Sequence, residues 1–124
     1  MEKEFVPYDR ALKLKALGFN EPCFGYFDSE GELIHNSHTN NYMQRFRYSA
    51  PTFSQAFRWF RERYGYCHFI NPSGKGYCSG WEDLGNNEHG FENYSTYEEA
   101  ELACLDKLIE IVEQTERIEH GVYQ

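Results

Sequence analysis

Apolar positions recur with a helical period in three parts of this chain and with a period of two between them. From Thr52 to Tyr64, Phe53, Ala56, Phe57, Phe60 and Tyr64 share one face of a 3.6-residue wheel. Thr52 and Gln55 form a capping box at its start, and Gly65 stands just past its end. From Thr96 to about Gln114 the face is Tyr97, Ala100, Cys104, Leu108, Ile111 and Val112, with Glu99, Asp106, Glu110 and Glu113 opposite. Thr96 and Glu99 make a second capping box. Pro7 to Leu17 predicts a further helix ended by Gly18, although Lys15 falls on its apolar face.

Between these helices the pattern predicts strands. Pro22–Asp28 is followed by the turn residues Asp28-Ser29-Glu30-Gly31 and by Glu32–Asn36. Gly65–Ile70 leads through Asn71-Pro72-Ser73-Gly74-Lys75-Gly76 into Tyr77–Trp81. Met43–Tyr48 and Gly90–Tyr94 add strands running into the second and third helices. His35–Asn41 and Asp83–His89 are polar loops.

Each helix start carries an aromatic residue followed three positions later by alanine: Tyr8 and Ala11, Phe53 and Ala56, Tyr97 and Ala100. The aromatic-to-aromatic steps are 45 and 44 residues. An interval of that size predicts a repeated supersecondary unit. The expected fold is therefore α+β: a mainly antiparallel sheet with about three helices on one face. It consists of α-β-β units over about 7–50 and 51–95, closed by a helix over about 96–116. One domain spanning 1–124 is expected.

Composition narrows the class. The chain has 124 residues, 40% of them hydrophobic, with ten Phe, ten Tyr and two Trp. That supports a packed core rather than disorder. No apolar run is long enough to cross a membrane, and Met1-Glu2-Lys3-Glu4 does not resemble a signal peptide, so a cytosolic protein is expected. The four cysteines, Cys23, Cys67, Cys78 and Cys104, form no CxxC pair and read as small buried hydrophobes. Net charge is −8, but unevenly spread. Residues 45–66 hold five arginines against Glu62, a local balance of +4; residues 82–119 hold twelve acids against Lys107 and Arg117, a balance of −10. The overall sign disfavours duplex nucleic acid as a partner.

Three segments carry a resemblance: Leu17–Phe27 (LGFNEPCFGYF), Ser49–Arg61 (SAPTFSQAFRWFR) and Tyr97–Leu105 (YEEAELACL). In them the chain resembles a group of small uncharacterised proteins of Bacteroidales bacteria and their phages and prophages. The resemblance implies a mobile-element accessory protein working in the host cytosol and supplies no catalytic residues. Because such accessory proteins often inhibit or sequester, it points by analogy to countering host defence.

Candidate chemistry concentrates in the arginine–aromatic segment. Trp59 and Arg63 lie four apart at one edge of the second helix's apolar face, where a guanidinium can stack on an indole or grip an anion. Arg45 and Arg47 alternate on one side of the preceding extended stretch, with Phe46 and Tyr48 on the other. Arg45, Arg47, Tyr48, Trp59 and Arg63 could thus offer forked donors to phosphate and aromatic faces to a base. The competing reading pairs these arginines with the acidic third helix. Leu102 and Ile109, seven apart on that helix, either widen its core contact or form an apolar seam for a partner protein or a second copy. A host protein with a basic surface is the alternative partner.

Other motifs carry less. His35-Asn36-Ser37 lacks the second H-x-S/T triplet of a two-histidine phosphoesterase, so His35 and His38 read as solvated loop residues. Zinc would draw on Cys67, His68 and Cys78 with Cys23 or His35 as a fourth ligand, but structural zinc takes ligands in close pairs, and Cys67 and His68, adjacent on one strand, point to opposite faces. Ser73-Gly74-Lys75-Gly76 lacks the spacing of a phosphate loop. The sequence therefore assigns no metal, cofactor or catalytic residue. It leaves an unrecognised hydrolase using His35, His38 or Cys67 as the outlying alternative.

Overall fold

A computed structural model describes residues 2–34 and 48–119. Among the described residues, three α-helices and two antiparallel sheets, each with three described strands, give an α+β fold with a C-terminal helix. The chain divides into two compact units, Met1–Ala56 and Phe57–Gln124, with the division inside the second helix.

In the first unit, α1 (Tyr8–Ala16) follows Pro7, whose fixed φ suits the entry to a helix. It buries Ala11 and Leu14 and ends at Gly18, φ +105°. Lys15 is exposed instead of facing the core, and its ammonium lies 4.6 Å from the centre of the Tyr48 ring. Strands β1 (Gly25–Phe27), β2 (Leu33–Ile34) and β3 (Tyr48–Ala50) pair in the order β2-β1-β3, and α1 packs on β3. Phe5, Val6, Leu14, Leu17, Phe19, Phe27 and Ala50 are buried.

Helix α2 (Phe53–Tyr64) begins at the anticipated capping box. The Gln55 N–H donates to Thr52 Oγ1 (3.2 Å), and the Thr52 N–H donates to Gln55 Oε1 (3.0 Å). The helix ends at Gly65, φ +76°.

The second unit is a meander of β4 (Cys67–Ser73), β5 (Gly76–Glu82) and β6 (Glu88–Tyr94), followed by α3 (Tyr97–Glu119). Helix α3 lies mainly along β5 and also touches β4 and β6. Its buried stripe is Ala100, Cys104, Leu105, Leu108, Ile109 and Val112, while Tyr97 is exposed and Ile111 half-buried. The buried face is therefore rotated from the expected stripe, away from Tyr97 and Ile111 and toward Leu105 and Ile109.

Strand β4 runs through Asn71-Pro72, which the sequence assigned to a turn; as an edge strand it can accept a proline. The polar stretch Asp83–His89 is also tighter than expected. Asp83 Oδ1 accepts the N–H groups of Gly85 (2.9 Å) and Asn87 (3.0 Å), and the Asn86 N–H donates to the Asp83 carbonyl (3.0 Å). Strand β6 can therefore begin at Glu88. The β1–β2 hairpin is closed the same way: Asp28 Oδ1 accepts the N–H groups of Glu30 (2.9 Å) and Glu32 (3.0 Å). Gly31 (φ +82°) and Asn86 (φ +63°) take the matching left-handed position. These turns lie 55 residues apart, off the 44–45-residue interval, and the sheets differ in strand order. Among the described residues the recurring element order is not matched by a recurring strand order.

A bulge between Ser79 and Gly80 sets Gly80 opposite Gly90. A Cβ on Gly80 would stand 2.0 Å from the His89 carbonyl oxygen and 2.8 Å from Cζ of Phe69. Only glycine fits this backbone approach.

Candidate functional site

Helix α2 brings Trp59 and Arg63 together as their spacing requires. The Arg63 guanidinium carbon lies 5.6 Å from the indole ring centre and 5.9 Å from that of Tyr64. The indole itself is only 7% exposed and sits edge-on to Phe60 (5.1 Å) and Tyr64 (5.6 Å). It is a core residue supporting a guanidinium, not an open platform for a base. Tyr48 opens β3 in the first unit, with Lys15 over its ring and Tyr8 edge-on at 6.2 Å. Arg45 and Arg47 lie outside the described residues, as do His35 and His38.

The exposed face of α2 is basic. Arg58, Arg61 and Arg63 are all exposed. On the helical wheel Arg58 and Arg61, three apart, share a flank on which Glu62 is the neighbouring acid, while Arg63 lies with Trp59 on the other. Ion pairs among the described residues include Arg10–Asp9, His89–Asp83 and Lys107–Glu92. None ties a guanidinium of α2 to a carboxylate of α3. The link from the end of α2 to α3 is instead neutral to charged: the Tyr64 hydroxyl donates to Glu116 Oε1 at 3.1 Å. Burial first, with a smaller contribution from Glu116 and against the opposing pull of Arg63, holds the Tyr64 phenol above its ordinary range.

Helix α3 places Ile109 in the core at 2% exposure and leaves Leu102 half-buried. The partner seam thereby loses one of its two residues. The solvent side of α3 carries Glu98, Glu99 and Glu110, with Lys107 as an exposed cation.

All four cysteines are free. Burial pushes the thiols of Cys23 and Cys104 up to about 12, and each donates to a backbone carbonyl, of Glu21 (3.3 Å) and Gly80 (3.2 Å) respectively. Cys67 is exposed and Cys78 half-buried on the sheet face away from α3, contrary to the expectation of buried thiols. Cys67 pairs with Glu82 and Cys78 with Asn71. Four residues thus separate the two thiols along the sheet, roughly 13 Å, too far for a shared ion or disulfide. Among the described residues no three metal-ligating side chains converge.

One constellation has no counterpart in the sequence reading. The register places His68, Trp81 and His89 side by side across the three strands of the second sheet. His68 stacks flat on Phe57 of α2, ring centres 3.8 Å apart and planes 5° from parallel. His89 stacks on Trp81 at 5.2 Å, and its Nε2 lies 2.9 Å from Asp83 Oδ2. The signal was present as a histidine at matching positions of two strands, but only the register reveals the row.

Two surface hollows are formed by described residues. One, of roughly 430 Å³, lies between the β4–β5 turn and the end of β6, lined by Ser73, Lys75, Asn93 and Ser95 among others. The other, of roughly 370 Å³, lies along β4 and β5 by Cys67, Phe69, Cys78 and Glu82. Neither includes Trp59 or Arg63. No family model, no curated protein and no solved structure matches this chain.

Proposed function

We propose that this protein is a non-catalytic binding protein that captures a small phosphate-bearing ligand, such as a nucleotide, on the basic face of α2. The observation that carries the reading is the exposure of Arg58, Arg61 and Arg63 with no α3 carboxylate within ion-pair distance among the described residues. Arg58 and Arg61, on one flank of a rigid helix, offer planar forked donors to phosphate oxygens, each charge-assisted contact worth about 1.5–3 kcal/mol, with Arg63 on the other flank. Trp59 serves this reading indirectly, by supporting Arg63. The buried indole moves the expected specificity toward the phosphate and away from the base. In the cytosol of a host cell, a mobile-element protein of this kind would act by sequestering a signal.

Calorimetric titration with a panel of mono-, di- and cyclic nucleotides tests the reading. Binding that is lost in an Arg58→Ala/Arg61→Ala double variant supports it. No member binding more tightly than about 1 mM, roughly 4 kcal/mol, removes it. A second reading rests on the exposed Glu98, Glu99 and Glu110: contact with a basic protein surface. That association would weaken steeply with salt and would be insensitive to the arginine substitutions.

A further inference from the structure

We propose that the Phe57–His68 stack is a pH-sensitive clasp, closed while the imidazole is neutral and loosened by its protonation, that holds the residue 57–64 half of α2 against edge strand β4. The two ring planes are nearly parallel and their centres 3.8 Å apart, so the contact is a face-to-face one between a helix and a strand. His68 is half-buried, and Trp81 is its register partner on β5. The alternation of β4 turns Cys67 and Phe69 to the other face of the sheet.

Two opposing effects decide what a proton does there. An imidazolium over a benzene ring gains cation–π attraction, about 0.5–1 kcal/mol at an exposed site. Against it stand the loss of hydration and the positive charge of Arg61, one turn beyond Phe57. Burial first and Arg61 second push the His68 ring below its ordinary value, so the costs exceed the gain. No carboxylate of β5, or of α3 among the described residues, offsets them. The other imidazole of the row, that of His89, lies beyond Trp81 and faces Asp83.

The linkage sign follows. The unfolded chain takes up the proton near pH 6.5, while the folded chain resists it to lower pH. The clasp is therefore intact above pH 6.5, and stability falls as pH drops from there through the folded-state titration.

Proton NMR titration of the native protein, combined with urea unfolding at pH 7.5 and 5.0, tests this. The expected results are a His68 ring titrating below 6.5 and an unfolding midpoint that drops on acidification. His68→Phe keeps a flat ring and removes the charge, so a smaller drop is expected there, whereas His89→Gln should retain that of His68. Hydrogen exchange, corrected for intrinsic rates, should accelerate at pH 5.0 first in residues 57–64 and 67–70. A His68 titration at or above 6.5 overturns the proposal, as does a His68→Phe variant with the unchanged pH dependence. If His68→Phe does not fold, His68→Gln supplies the comparison, and the titration of the native protein decides without any variant.

Discussion

Replacing Gly80 by alanine should destabilise the second unit far more than an ordinary glycine-to-alanine change. The new methyl would meet the His89 carbonyl oxygen at 2.0 Å and Phe69 Cζ at 2.8 Å. The aromatic ring can swing aside, but a backbone oxygen in a paired strand cannot. Strand β6 would have to retreat from β5, weakening about two ladder hydrogen bonds at about 0.5–1.5 kcal/mol each. Displacing the half-buried Phe69 adds about 1 kcal/mol. Alanine's lower unfolded-state entropy returns about 0.4–1 kcal/mol, leaving a net loss of about 2–3 kcal/mol. The comparison is Gly74→Ala at the β4–β5 turn, where φ is +60° and nothing lies within 4 Å. There only left-handed backbone strain of about 1–2 kcal/mol acts, partly offset by the same entropy gain. Urea unfolding of the two variants with equal m-values measures both. A Gly80→Ala variant no less stable than Gly74→Ala would refute the steric account of the bulge.

Three further outcomes are expected. Thr52→Ala and Thr96→Ala each remove both hydroxyl contacts of a capping box and should cost about 0.5–2 kcal/mol in thermal or urea unfolding. In native protein a thiol-reactive dye should label Cys67 first and leave Cys23 and Cys104 unmodified until denaturant is added; mass mapping of early Cys104 labelling would contradict its burial. The hydrogen bond from His89, with those of the Asn87 and Gly85 N–H groups, holds the Asp83 carboxyl below its ordinary value. The turn is thus supported above about pH 3.9 and loses that support as pH falls through the lowered folded value, so Asp83→Asn should flatten the acid limb of a pH–stability profile.

The helices were the most legible part of the sequence. The capping residues of α2 and α3 sit within three positions of each other, and a local signal suffices for a local bond. The Thr52–Gln55 box and the stop at Gly65 follow directly. Strand limits were harder, because a turn residue has two readings. Asn71-Pro72 looked like a turn yet belongs to an edge strand, where proline is tolerated. Asp83–His89 looked like a loose loop, yet a single carboxylate accepting two N–H groups compresses it into a hairpin turn. For the candidate site, the i,i+4 spacing correctly joined Trp59 to Arg63. Burial could not be read from that spacing: an indole at the edge of an apolar stripe serves equally as platform or core. The His68–Trp81–His89 row depends on strand register, which links residues 13 and 8 positions apart and leaves no periodic mark.

The two borders of the second sheet bear on how this protein survives crowding at high concentration. Pro72 withholds an amide donor on one side, and on the other the extra residue beside Gly80 and Gly90 breaks the regular ladder. A neighbouring molecule trying to extend the sheet would find the pairing interrupted at a point on each described flank, a pattern that disfavours fibril growth. Restoring a regular border, for instance by replacing Pro72 with valine, would expose the chain to that hazard without altering its interior.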